Sequence, residues 1–274
     1  MRNIITTCYL DYVNLGYFNP AKFTNPSAIN AKDYNDPDAC CEELYDDLLE
    51  LYKDNFKKLG FTLSKNTDEY LLWMDKDNIG YTISSDYIGP SRAWARNAGL
   101  PSNEVGEYLR KTRVIGGHML WPVQYREDYR NTIILIGKGG TINTQRGGKK
   151  GFCDRIDCTL QDLQNFYAYI DGNSEVNYKL SVFEKYKKWI MLFSNFESFV
   201  NFFYLNDFCD PDYRVYDLSS YNKADNKYEA FIGDEYTNID YYKIGDAGRY
   251  RAFIDGSVCA ILSRQLRIKK ALEK

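Results

Sequence analysis

The chain has 274 residues, of which 44% are hydrophobic and 27% charged, and its formal net charge is −3. That length is enough to bury a sizeable core, and this composition excludes wholesale disorder and fibrous repeats. The small negative charge excludes a protein that coats nucleic acid through its overall field, while a local basic patch stays compatible with it.

Residues 1–35 carry no apolar period and suggest an irregular opening. Neither this stretch nor any later one has the pattern of a signal peptide or the length of a membrane span, so a cytoplasmic protein with no membrane partner is expected. Asp36-Pro37-Asp38 then predicts a helix running through Leu59, with acids early, Lys53, Lys57 and Lys58 late, and Leu44, Leu48, Leu51 and Tyr52 as its buried stripe. From Phe61 to Ile83, short apolar runs separated by Lys, Asn, Asp and Gly predict a small antiparallel meander. A second helix is expected over Ser102 to Lys111. Arg113-Val-Ile-Gly-Gly-His-Met-Leu-Trp121 follows and runs into Pro122, as a strand or a broken helix.

Residues 131–136, Asn-Thr-Ile-Ile-Leu-Ile, are the clearest buried strand. A glycine-studded loop at 137–151 comes next. Leu160, Leu163, Phe166, Tyr167 and Ile170 then space out a helix ending near Gly172. Residues 180–208 are apolar around much of their circumference and predict one or two aromatic helices at the centre of the core. After Asp210-Pro211 the expectation is irregular structure, including a polar stretch from Ser219 to Lys227, and a last helix from about Gly256. The sum is one α+β domain over residues 1–274: a small β-sheet with a helix-dominated, aromatic-rich C-terminal half. Its 25 Tyr and 15 Phe suit cores, interfaces and base-stacking surfaces alike.

The seven cysteines are irregularly spaced without a CxxC and read as reduced thiols. With one histidine and no paired Cys/His cluster, no metal centre and no cofactor is expected. Chemistry concentrates instead between Thr112 and Asp157. Lys138, Arg146, Lys149, Lys150 and Arg155 lie there between a strand and a helix, with Asp154 as the acid among them. Glycine-turn amides, a helix N-terminus and arginines are the ingredients of a phosphate site. No GxxxxGK[ST] or GxGxxG is present, so this is not a Walker or Rossmann loop. The amides of Asn143 and Gln145 are suited to a base or sugar. A solvated basic loop explains the same residues, and Asp157 or Thr159 reads first as a helix N-cap.

Four segments, Ser84-Ser-Asp-Tyr-Ile-Gly-Pro-Ser91, Thr112-Arg-Val-Ile-Gly-Gly-His-Met-Leu-Trp-Pro122, Thr141-Ile-Asn-Thr-Gln-Arg-Gly147 and Asp154-Arg-Ile-Asp-Cys-Thr-Leu160, resemble in order the signatures of an uncharacterised bacterial protein family. The aromatic stretch Phe196 to Asp207 is similar to the one that follows in that family. The resemblance implies no activity, but it singles out Asp86, Ser91, Arg146, Asp154 and Arg155. In that family another aromatic can stand where this chain has His118.

Arg113, four residues and then His118 also resemble the loose signature of the helical ribonucleases called HEPN domains. That would make His118 the proton-transfer group and Arg113 the phosphate stabiliser, without a metal. A satisfied structural histidine is the plainer alternative. The expectations are therefore a cleft of Asp86, Ser91, Arg113, Asn143, Arg146, Asp154 and Arg155, binding RNA or a nucleotide through Arg146, Arg155, Asn143 and Lys149. A metal-independent ribonuclease of toxin or phage-defence type is the catalytic form. An ADP-ribosyltransferase-like effector using NAD and a non-catalytic protein-interaction module, with a protein partner or a second copy, are the alternatives.

Overall fold

The computed structural model describes residues 42–65, 70–128, 132–135, 155–172, 183, 186–233 and 244–272. The fold is α+β. Helix α1 (Glu42–Lys58) leads into an antiparallel meander of β1 (Thr62–Lys65), β2 (Tyr70–Met74) and β3 (Ile79–Tyr87). Helices α2 (Arg92–Asn97) and α3 (Ser102–Thr112) and a 3-10 turn (Ile115–Gly117) then return the chain to β4 (His118–Asp128) and β5 (Thr132–Leu135). The five strands pair in chain order, each antiparallel to the next. Pro122 lacks an N–H for a ladder. It falls beside the bulge at Thr82/Ile83 and outside the stretch of β4 that β5 pairs, which begins at Gln124.

Helices α4 (Ile156–Ile170), α5 (Lys187–Ile190) and α6 (Phe196–Phe202) follow, with a 3-10 turn at Asn206–Phe208. A hairpin of β6 (Tyr216–Asn222) and β7 (Lys227–Ala230) and the long α7 (Ala247–Leu272) complete the described elements. Helix α1 lies across the sheet, while α7 packs on β6, on α3 and on both 3-10 turns. One continuous core runs from Leu48 to Ile268. Trp189 is fully buried at its middle, with its ring 5.1 Å from Tyr81, 5.8 Å from Phe56 and 5.9 Å from Phe193. Edge-to-face aromatic packing of this kind adds to the area that each ring buries.

The expected α1, meander and α3 form, and so does α4, whose Leu160, Leu163, Phe166 and Tyr167 are buried. Three details refine the expectations. The expected one or two aromatic helices are two short ones among the described residues, α5 and α6. Asn195 caps a fresh start, accepting the Ser198 N–H at 2.8 Å, and Tyr204 at φ +55 ends α6. Rings on every side are buried by turning the chain among several neighbours, which one straight helix cannot do.

Second, the polar stretch from Ser219 to Lys227 is a hairpin. Its serines satisfy backbone rather than marking a loop: Ser220 Oγ accepts the Glu229 N–H at 2.8 Å and donates to Asp217 O at 2.7 Å. Third, α7 starts near Asp246, whose carboxylate accepts the Arg249 N–H at 2.8 Å, and Gly256 sits inside it. A Cβ at Gly256 would lie 2.6 Å from the Leu218 carbonyl oxygen and 2.9 Å from Tyr221 Cβ. The glycine is a packing notch for the hairpin, not a helix start. No helix among the described residues is long and apolar enough to cross a membrane.

Candidate functional site

Two of the signature segments, at 84–91 and 112–122, meet where β3 and α3 end and β4 begins. Tyr87 stands opposite His118 and Asp86 opposite Met119. Opposed residues share a face and neighbours along a strand alternate. Tyr87 and His118 therefore lie on one face, with ring centroids 5.4 Å apart, and Asp86 lies on the other. His118 is fully buried, and its Nδ1 donates to the Val114 carbonyl at 2.9 Å, since a carbonyl can only accept. Arg113 is also buried, at the C-cap of α3. The Arg113–His118 spacing thus spans a helix end, a 3-10 turn and a strand start, not one helix.

The glycine pair between them is explained by α7 for Gly116 and by the end of α3 for Gly117. A Cβ on Gly116 would lie 2.7 Å from the Ile261 carbonyl oxygen, and one on Gly117 would overlap the Thr112 carbonyl. Gln265 Oε1 accepts the Gly116 N–H at 2.6 Å. The fully buried Arg264 donates five hydrogen bonds: to Gly116 O at 2.5 Å, His118 O at 2.7 Å, Tyr52 Oη at 3.0 Å, and Phe203 O at 3.0 and 3.2 Å. Tyr52 donates in turn to Phe203 O at 3.2 Å. One guanidinium so ties α1, the turn before β4, the end of α6 and α7 together, with oxygen dipoles rather than a carboxylate around its charge.

On the Tyr87 face, Tyr87 donates to Thr112 Oγ1, which donates to Tyr108 O at 2.9 Å. The Tyr108 hydroxyl is buried and makes no hydrogen bond among the described residues. Burial and then the neighbouring Tyr87 push its pKa up, and the charges of Arg113, Arg92 and Arg96 pull it back. Arg92 and Arg96 lie four residues apart on α2, which packs on α3. Ser91, at the N-cap of α2, accepts the Tyr250 hydroxyl on its backbone carbonyl at 2.9 Å.

Arg155, expected as a phosphate contact, is fully buried at the N-cap of α4. Its Nε and Nη2 each donate to Asp157 at 2.8 Å, Asp217 is 3.6 Å away, and the guanidinium lies 4.9 Å from the Phe253 ring centroid. Burial opposes its charge, but Asp157, Cys158 and Asp217 together more than offset this and raise its pKa. Asp157 is not the N-cap; from the first turn it accepts the Cys158 and Leu218 N–H groups at 2.9 and 3.1 Å. Asn143, Arg146, Lys149 and Asp154 lie outside the described residues.

Two features escaped the sequence reading. Arg264 shares a stripe with Ile261, Gln265 and Ile268, all buried, and an arginine at a core position of a periodic helix was the available signal. The second is a cavity beside β6 lined by tyrosines, for which no local motif exists.

A family model matches residues 23–268, and it describes a family of unknown function (DUF6994). The chain belongs to this family. The match takes in the sheet, the Gly116–His118 turn and Arg264, and is consistent with the expected membership of an uncharacterised family. No curated protein and no solved structure matches it.

Proposed function

We propose that the protein binds a phosphate-bearing ligand, a nucleotide or a short RNA, on the α2–α3 face, with Arg92 and Arg96 as the accessible contacts and Arg113 supporting them from beneath. Arg92 and Arg96 stand four residues apart on one face of α2, which packs on α3 with Arg113 at its end, and this clustering of charge carries the proposal. Arginine gives planar, bidentate donors to phosphate, and positive charge from two elements at one place is what phosphate recognition requires. The loop residues Arg146, Asn143 and Lys149 extend the same chemistry.

Catalysis through His118 finds less support, because its ring is buried and its Nδ1 is engaged by Val114 O. The exposed large apolar side chains among the described residues include a single aromatic, Tyr169, beside Met191, Ile232, Leu262 and Leu266. Among the described residues these do not make up the broad Tyr/Phe patch that a protein-interaction module calls for.

The test is fluorescence anisotropy with labelled ADP and a short labelled RNA across a salt series, on the wild type and the Arg96→Ala, Arg92→Ala and Arg146→Ala variants. Binding that weakens with salt and drops about tenfold in Arg96→Ala is expected, one charge-assisted contact being worth roughly 1.5–3 kcal/mol. Absence of salt-sensitive binding would overturn the proposal. RNA cleavage abolished in His118→Ala would restore the ribonuclease form, and NAD consumption would favour ADP-ribosyl transfer.

A further inference from the structure

A cavity of about 390 Å³ opens between the Asn206–Phe208 turn, the loop at 210–214, the β6–β7 hairpin and α7. The size is that of a small-molecule site. Tyr213, Tyr216 and Tyr228 form one wall, the Tyr216 and Tyr228 rings stacked at 4.7 Å. Asp207 and Asp210 line the cavity with side chains only 17% and 12% exposed. Both are held in place. Asp207 takes a bidentate pair from Arg267 at 2.9 and 3.0 Å, and Asp210 accepts the Asp212 and Arg214 N–H groups and the Arg214 Nε at 2.9, 2.9 and 2.7 Å. The nearly buried Cys209 thiol also lines the cavity and makes no hydrogen bond among the described residues.

We propose that this cavity binds a small organic cation, an ammonium or guanidinium, against the tyrosine wall with Asp207 and Asp210 as its counter-charges. Aromatic π faces and carboxylates are the partners that a desolvated organic cation needs together, and a carboxylate has more acceptor positions than its arginine occupies. An anion is disfavoured, because two carboxylates and one guanidinium, Asp207, Asp210 and Arg267, line the cavity.

The wall reports the same sign of field. Burial, then Asp210 and Asp207, push the Cys209 thiol up to about 12. Burial and then Asp210 raise the Tyr216 hydroxyl, although Arg214 pulls against them. Negative potential thus reaches the cavity past the two arginines. The site is distinct from the α2–α3 face and of opposite preference, so it stands or falls without the phosphate proposal.

Isothermal titration of the full chain with agmatine and with choline, and with succinate as anionic control, tests it. Saturable binding of at least one cation and none of succinate is expected. Ser263→Phe, which fills the cavity from α7 without touching its charges, and Tyr216→Ala should each weaken binding by about tenfold or more, the equivalent of one desolvated cation–π contact. The thermal midpoint identifies any variant that fails to fold, and Ser263→Phe and Tyr216→Ala are independent routes to the same answer. No saturable heat with either cation, cation binding that both folded variants leave unchanged, or succinate binding that Ser263→Phe abolishes would overturn the proposal.

Discussion

The turn at Gly116–His118 and the cavity beside β6 are built in opposite ways. The turn is dense in motif residues yet closed: its glycines touch α7, its histidine is buried, and its carbonyls are taken by Arg264. The cavity has no motif, being assembled from an aspartate in a 3-10 turn, a second in a loop and tyrosines of a loop and hairpin, and it is open. A conspicuous cluster of Gly, Arg and His therefore marks here where chain segments must approach closely. Exposed chemistry sits on side chains that look ordinary in sequence.

The largest expected effect is at the closed region. Arg264→Met takes this donor from the oxygens of Gly116 and His118 and leaves Phe203 O with Tyr52 alone, and orphaned buried acceptors cost about 1–3 kcal/mol each, so a loss of about 3–5 kcal/mol in urea denaturation is expected. A loss below about 1 kcal/mol would mean that water or relaxation replaces the arginine, and the contrast between the regions would lapse.

A smaller loss, about 1–3 kcal/mol by overpacking, is expected for Gly117→Ala, where the new methyl meets the Thr112 carbonyl. Gly245→Ala meets nothing within 4 Å and should stay within about 0.5 kcal/mol. Equal effects of the two in thermal denaturation would remove steric contact as the reason for the glycine pair.

The smallest effect sharpens the cavity side. The Cys209 thiol is raised from 9.0 to about 12, so the folded state holds its proton more tightly than the unfolded chain does. The associated stability is complete below pH 9.0 and is lost as pH climbs towards about 12. Alkylation with iodoacetamide at pH 8.5, mapped by peptide mass spectrometry, should label the half-buried Cys259 ahead of Cys209. Rapid labelling of Cys209 in folded protein would show that the carboxylate field and burial do not govern the thiol.

Local patterns by themselves determined several elements. The leucine stripe and late lysines of α1, the short runs of the meander, and Leu160, Leu163 and Phe166 in α4 carry their periods within a few turns, and local propensity and burial agree there. Tertiary structure decided the rest. Gly256 reads as a helix start until the hairpin is laid against it. Arg264 reaches Gly116 across 148 residues, so its role is set by which helix ends meet it. For the sites, the sequence marked Arg113 and His118 but not their burial, and it contained Asp207, Asp210, Tyr216 and Tyr228 without any spacing that joins them. Only packing turns such dispersed side chains into one cavity, because proximity between distant segments is a property of the folded core and leaves no period in the chain.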